Sequence, residues 1–169
     1  MANGTAAALR RRRDDLRDLR LMRSADAKDV REIIVQDGAK RTSLGRPAED
    51  KPWVIRTAGE MLPKDFELDQ NRVTRRLQAI NQARGTSLLN GTFSKDVSFG
   101  KQRVQLRTKD GQLSTLQFGA TRAQAPVATG TADKNIYTVS VGLKSALLGT
   151  AGSFAKQAGG EDSMLRLGA

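Results

Sequence analysis

Apolar and polar positions change rhythm along the chain, and the changes divide it into five stretches. From about Thr5 to Asp37 the spacing is helical. Ala6, Ala7 and Ala8 favour helix, no proline occurs, and Gly38 stands where a helix would stop. Leu9, Leu16 and Leu19 are spaced by seven and three, and Val30 and Ile33 follow in the same register. Arg12, Arg23 and Asp26 interrupt that seam, so two helices, or one bent near Ser24, are expected over residues 1–38. Residues 39–65 lose the period. Pro47, Pro52, Pro63 and Gly45 amid scattered charge predict an extended linker, with a short strand at Val54–Arg56 beside Trp53.

The helical period returns over residues 66–85. Asp69 is a suitable N-cap and Gly85 a suitable stop. Phe66, Val73, Leu77 and Ile80 form a narrow stripe bordered by Arg72, Arg75, Arg76, Gln78 and Gln82, which predicts a short coiled-coil-like oligomerisation helix. From 86 to 142 the period falls to two. Val104 and Leu106 alternate before Lys109-Asp110-Gly111, and Leu116 and Phe118 alternate after it, the pattern of a hairpin with an Asp-Gly turn. Phe93, Val97 and Phe99 predict an earlier strand, and Tyr137, Val139 and Val141 a later one. Residues 143–169 are rich in glycine and small side chains. They predict a flexible C-terminal arm with isolated anchors at Leu147, Leu148, Phe154, Met164 and Leu165. The fold class expected is therefore α+β: a helical N-terminal extension, a short coiled-coil-like helix, then a small antiparallel β domain with an extended C-terminal arm.

Composition adjusts this picture in two ways. Hydrophobic residues make up 38% of the 169 and aromatic residues 4%, a lean stock for a core. Either neighbouring subunits complete the fold, or the chain folds alone with long loose ends. The net charge is +11, from 29 Lys and Arg against 18 Asp and Glu, which favours nucleic acid, anionic membrane or acidic protein as a partner. No run of apolar residues is long enough to span a bilayer, so a membrane is not expected.

Candidate chemistry is sparse. The chain has no histidine and no cysteine, which removes the usual neutral-pH base, the thiolate nucleophile and the commonest zinc ligands. Gly152–Lys156 lacks the spacing of a phosphate-binding loop. Asp14, Asp15 and Asp18 are interleaved with Arg11, Arg12 and Arg17 and neutralise them rather than gather a metal. No enzyme, cofactor or metal is expected. Arg10, Arg11, Arg12 and Arg13 have two readings. They can grip phosphates, or they can pair with the acids three and four residues on, as a charged helical seam does. Arg72, Arg75 and Arg76 pose the same choice between an anion-binding face and a solvated one.

The stretch Leu68–Phe99, above all the Gly85–Gly91 turn followed by Asp96 and Val97, resembles tailed-bacteriophage virion proteins of the small tail-fibre and fibre-adaptor type. The Leu-Leu-Gly-bearing C-terminus is similar to small tail-assembly proteins of short-tailed phages. The HGLGR-like segment of such fibre domains is absent, so receptor binding is not carried over. The resemblance implies a non-enzymatic structural protein of a virion, made in the bacterial host cytoplasm and partnered by other virion proteins. It would sit at the tail or portal vertex and work as a homo-oligomer, a trimer or ring. Leu9, Leu16, Leu19, Phe66, Val73, Leu77 and Ile80 are the expected assembly residues. The alternative is a basic nucleic-acid-binding protein contacting its ligand through Arg10–Arg13 and the Arg72, Arg75, Arg76 face.

Overall fold

A computed structural model describes residues 19–22, 25–89, 96–130 and 135–156. After a 3-10 turn at Ala27–Asp29, strands β1 (Val30–Asp37), β2 (Lys40–Gly45) and β3 (Val54–Thr57) form a meander. Helix α1 (Gln70–Asn81) and the short strand β4 (Ser87–Leu88) follow. Strands β5 (Val97–Thr108), β6 (Leu113–Thr121), β7 (Pro126–Gly130) and β8 (Ile136–Thr138) make a second meander, and helix α2 (Val141–Leu147) and a 3-10 turn (Ala151–Phe154) close the described chain. All eight strands belong to one antiparallel sheet, in the order β3-β2-β1-β5-β6-β7-β8-β4.

This overturns the expected fold class. Residues 30–37 are not helix but β1, near the middle of the sheet, and the expected linker supplies β2 as well as β3, the short strand expected at Val54–Arg56. Val30, Ile33 and Ile34 suit a helical face by spacing alone. In the structure Val30, Ile33 and Val35 all reach the core, because a register shift between Val30 and Glu32 breaks strict alternation. Ile34 then falls on the opposite side of the sheet, between Ser43 and Gln105. The β-branched side chains of Val30, Ile33, Ile34 and Val35 favour a strand over a helix, and pairing with β2 and β5 fixes it. Leu9, Leu16 and Arg10–Arg13 lie outside the described residues, as do Phe93, Met164 and Leu165.

Helix α1 is capped as its sequence requires. The Asp69 carboxylate accepts from the backbone N–H of Asn71 and Arg72. It is no coiled-coil seam, however. Val73, Leu77 and Ile80 are buried in the chain's own core with Val35, Leu44, Val104, Leu106, Leu116, Phe118 and Tyr137. A narrow stripe is sufficient here because two of the flanking arginines, Arg72 and Arg76, are engaged with the C-terminal segment. In chain order α1 leads from β3, at one edge of the sheet, to β4, at the other, before the chain returns to the centre as β5.

Gly111 and Gly130 are among the glycines that the geometry requires. Gly111, at φ +83°, turns the chain between β5 and β6, where a side chain would be strained. At Gly130 an added Cβ would stand 1.7 Å from the Leu21 carbonyl oxygen, so β7 can approach the segment carrying Leu21 and Met22 only because that side chain is missing. Leu21 and Met22 are fully enclosed in the core, and Leu21 N donates to Ala83 O at 3.1 Å.

The expected C-terminal arm is likewise part of the fold as far as Lys156. Leu147, Leu148 and Phe154 are core residues. Asp69 N donates to Phe154 O at 2.8 Å and Lys156 N to Glu67 O at 2.8 Å, which ties the segment to the entrance of α1. Gly149, where a Cβ would stand 2.5 Å from Arg76 Nη2, and the buried Ala151 reflect close packing rather than looseness.

Candidate interaction surfaces

The polar side chains held in the most specific surroundings all serve the fold. Arg76 extends from α1 to the C-terminal segment. Its guanidinium donates to Leu147 O at 3.3 Å, Gly149 O at 2.8 Å and Ser153 Oγ at 3.0 Å, and it lies 4.5 Å above the Phe154 ring centre. Burial lowers its pKa to about 10, and the group still stays charged at neutral pH. The carbonyls left open at the end of α2 are thus satisfied by a cation, the charge that favours a helix C-terminus. Arg72 donates to Ser153 O at 3.1 Å and lies 3.7 Å from Asp69. Of the three arginines singled out on this helix, only Arg75 is exposed.

Glu60 plays the complementary part. Its Oε1 accepts from Thr150 Oγ1 at 2.8 Å and from Gly152 N at 3.0 Å, and Lys40 Nζ is 4.0 Å from Oε2. Those two hydrogen bonds, more than the lysine, hold its carboxyl below the usual glutamate range. Arg46 donates to Val30 O, Ala27 O and Glu49 O and stacks 4.6 Å from the Trp53 ring centre. Gln70 brackets the same tryptophan, accepting from Trp53 N at 2.8 Å and donating to Trp53 O at 2.9 Å. Spacing could not reveal these roles, because most of the partners lie far along the chain. Long polar side chains beside glycine-rich segments were the one hint.

Two surfaces among the described residues bear on interaction. The first is a depression of about 500 Å³ at the tip of the β1–β2 hairpin, lined among others by Asp37, Lys40, Gln102, Lys144 and Thr150. Val141, on its rim, is 67% exposed, and Met61, next to the Glu60 that grips Thr150, is 97% exposed. The second is the outer face of the sheet, turned away from α1. Cross-strand pairing sets its rows. Arg41, Gln36, Arg103, Gln117 and Thr129 form one, Ser43, Ile34, Gln105 and Thr115 the next, and Gly45, Glu32, Arg107 and Leu113 a third. Arg56 crosses Gly45, where a Cβ would stand 2.3 Å from its Nε, and reaches Glu32 at 3.9 Å. Arg107 reaches the same carboxylate at 3.9 Å.

Of the residues expected to carry assembly, Val73, Leu77 and Ile80 are in the core, Leu19 packs against it and Phe66 is half-buried. Among the described residues, no three His, Cys, Asp or Glu side chains are grouped to hold a metal, and no helix is long and apolar enough to cross a membrane. Comparison with protein-family models, with curated proteins and with solved structures finds no match to this chain.

Proposed function

We propose that this chain is a non-enzymatic assembly protein that works as a homo-oligomer, and that its setting is a tailed-bacteriophage particle. The observation that carries the assembly reading is the exposure of two apolar side chains, Val141 on the rim of the hairpin-tip depression and Met61, next in the chain to the Glu60 that accepts from Thr150 of its lining. A side chain of that size at 97% exposure gains nothing from the fold of its own subunit, and a contacting neighbour would bury it. The support for a non-catalytic role is that Arg76, Glu60 and Arg46, whose surroundings shift their pKa, are each engaged with backbone carbonyls, amides or caps of the chain itself. The phage setting rests on the resemblance of Leu68–Phe99 and the C-terminus.

The expected mode of contact differs from a helical seam. Edge strand β3 is four residues long, carries a register shift against β2 and bears Arg56, all features that discourage edge-to-edge pairing. Subunits would therefore meet through the hairpin-tip surface. The native mass, from light scattering on the eluting peak, should be a small multiple of 18.3 kDa and should fall to the monomer for Met61→Lys with Val141→Lys. A wild-type monomer at micromolar concentration overturns the assembly reading. Absence of the chain from purified phage particles overturns the setting alone.

A further inference from the structure

We infer that the outer face of the sheet is a binding surface for the sugar-phosphate backbone of nucleic acid, with Arg41, Arg56, Arg103 and Arg107 as its contacts. The face is assembled by tertiary pairing alone. Arg41 is on β2, Arg56 on β3, and Arg103 and Arg107 on β5, and no two of them belong to one run of basic residues. Sheet geometry spaces them. Arg41 and Arg103 flank Gln36 in one row, about 10 Å apart at two inter-strand steps, and Arg103 and Arg107 are about 14 Å apart at four residues along β5. All four are exposed.

Three features select the ligand class. The first is charge: four arginines stand against Glu32, the one acid in these rows. The second is the place of that acid. Arg56 and Arg107 converge on Glu32, so a small anion entering there meets a carboxylate, whereas a polymer can take one arm of each arginine while its charges continue to the Arg41 and Arg103 row. The third is what fills the space between. Gln36, Gln105 and Gln117 are partly exposed, and each spends one amide N–H inside the chain, on Gly38 O, Thr115 Oγ1 and Gly100 O, which leaves a second N–H that can meet sugar and base edges. An anionic bilayer would ask instead for a cluster of protruding apolar side chains, whereas Val54, paired with Gly45, and Leu113 stand at opposite ends of the third row with Glu32 and Arg107 between them. Glu32 holds the two guanidiniums in place in the free protein and competes with phosphate for them.

That competition gives the test two opposed directions. The full-length protein is titrated at low salt into fluorescein-labelled oligothymidylate and into a labelled duplex of equal length, and separately into vesicles of phosphatidylserine and phosphatidylcholine. Binding to an oligonucleotide should weaken with salt. The double variant Arg41→Gln with Arg103→Gln should weaken it about tenfold or more and flatten the log–log salt slope by about 1.4 for a single strand or about 1.8 for a duplex. Glu32→Gln should tighten it. All three positions are on the open face, so circular dichroism should find each variant folded. No binding by the wild type, affinity indifferent to Arg41 and Arg103, or preference for the vesicles would each overturn the inference. The inference is independent of the assembly reading: the native mass reports on one and the salt slope on the other.

Discussion

The two faces of the sheet use the same residue type to opposite ends. On the inner side Arg76 is sunk among backbone carbonyls and stacked on Phe154, and it joins α1 to the C-terminal segment. On the outer side Arg103 is exposed in a row of glutamine and threonine, and Arg107 is exposed beside Glu32. The difference lies in what desolvation requires. A guanidinium taken out of water must have its donors met, and the glycine-rich turn around Gly149 supplies carbonyls at the right reach. An arginine left in water keeps its charge available for a partner. Counting basic residues therefore says little about binding until each has been placed.

The contrast can be broken in order of effect. Phe154→Ala should cost about 3–5 kcal/mol, the usual range for truncating an enclosed aromatic side chain. Urea denaturation checks it, and a loss below about 1 kcal/mol would mean that the C-terminal segment is an arm after all. Arg76→Met should cost about 2–3 kcal/mol, since it leaves the Leu147 and Gly149 carbonyls without their donor. Arg76→Lys should recover only part of this, because an ammonium lacks the planar fork that reaches both carbonyls and Ser153.

Glu60 sharpens the comparison through pH. Its folded carboxyl is held below the ordinary value of 4.5 by the Gly152 and Thr150 hydrogen bonds. The stabilisation is therefore complete above that ordinary value and is lost as pH falls from it through the lowered folded value. Urea midpoints followed from about pH 6 to about pH 3 should fall less steeply for Glu60→Gln than for the wild type. Smallest of all, Arg103→Gln should change stability by no more than about 0.5 kcal/mol. A larger loss would show that the outer face is bound into the fold.

Local signals were legible where a partner lay nearby in the chain. The Asp69 cap and the Val73, Leu77, Ile80 stripe locate α1, and Asp110-Gly111 locates the turn between β5 and β6. What the stripe packs against was not legible, because a coiled-coil partner and a sheet face ask for the same spacing. Over Val30–Asp37 the helical reading failed because the shift at Val30 disguises alternation and because β2 and β5, the partners that make it a strand, lie elsewhere in the sequence. The candidate surfaces were the least visible. Arg41, Arg56, Arg103 and Arg107 share no motif, while the arginine-rich stretches that draw the eye fall on a packed helix or outside the described residues.

By itself, then, the sequence determined the charge balance, the missing histidine and cysteine, one capped helix and one tight hairpin. These depend on residue type and on neighbours a few positions away. The tertiary structure decided that a single eight-stranded sheet takes in part of the expected linker, that part of the expected arm packs into the core as a helix and a 3-10 turn, and that α1 closes a core instead of a seam. It also decided which arginines are structural and which face solvent. Those outcomes turn on pairing and desolvation between segments far apart in the chain, where each segment alone is compatible with more than one partner.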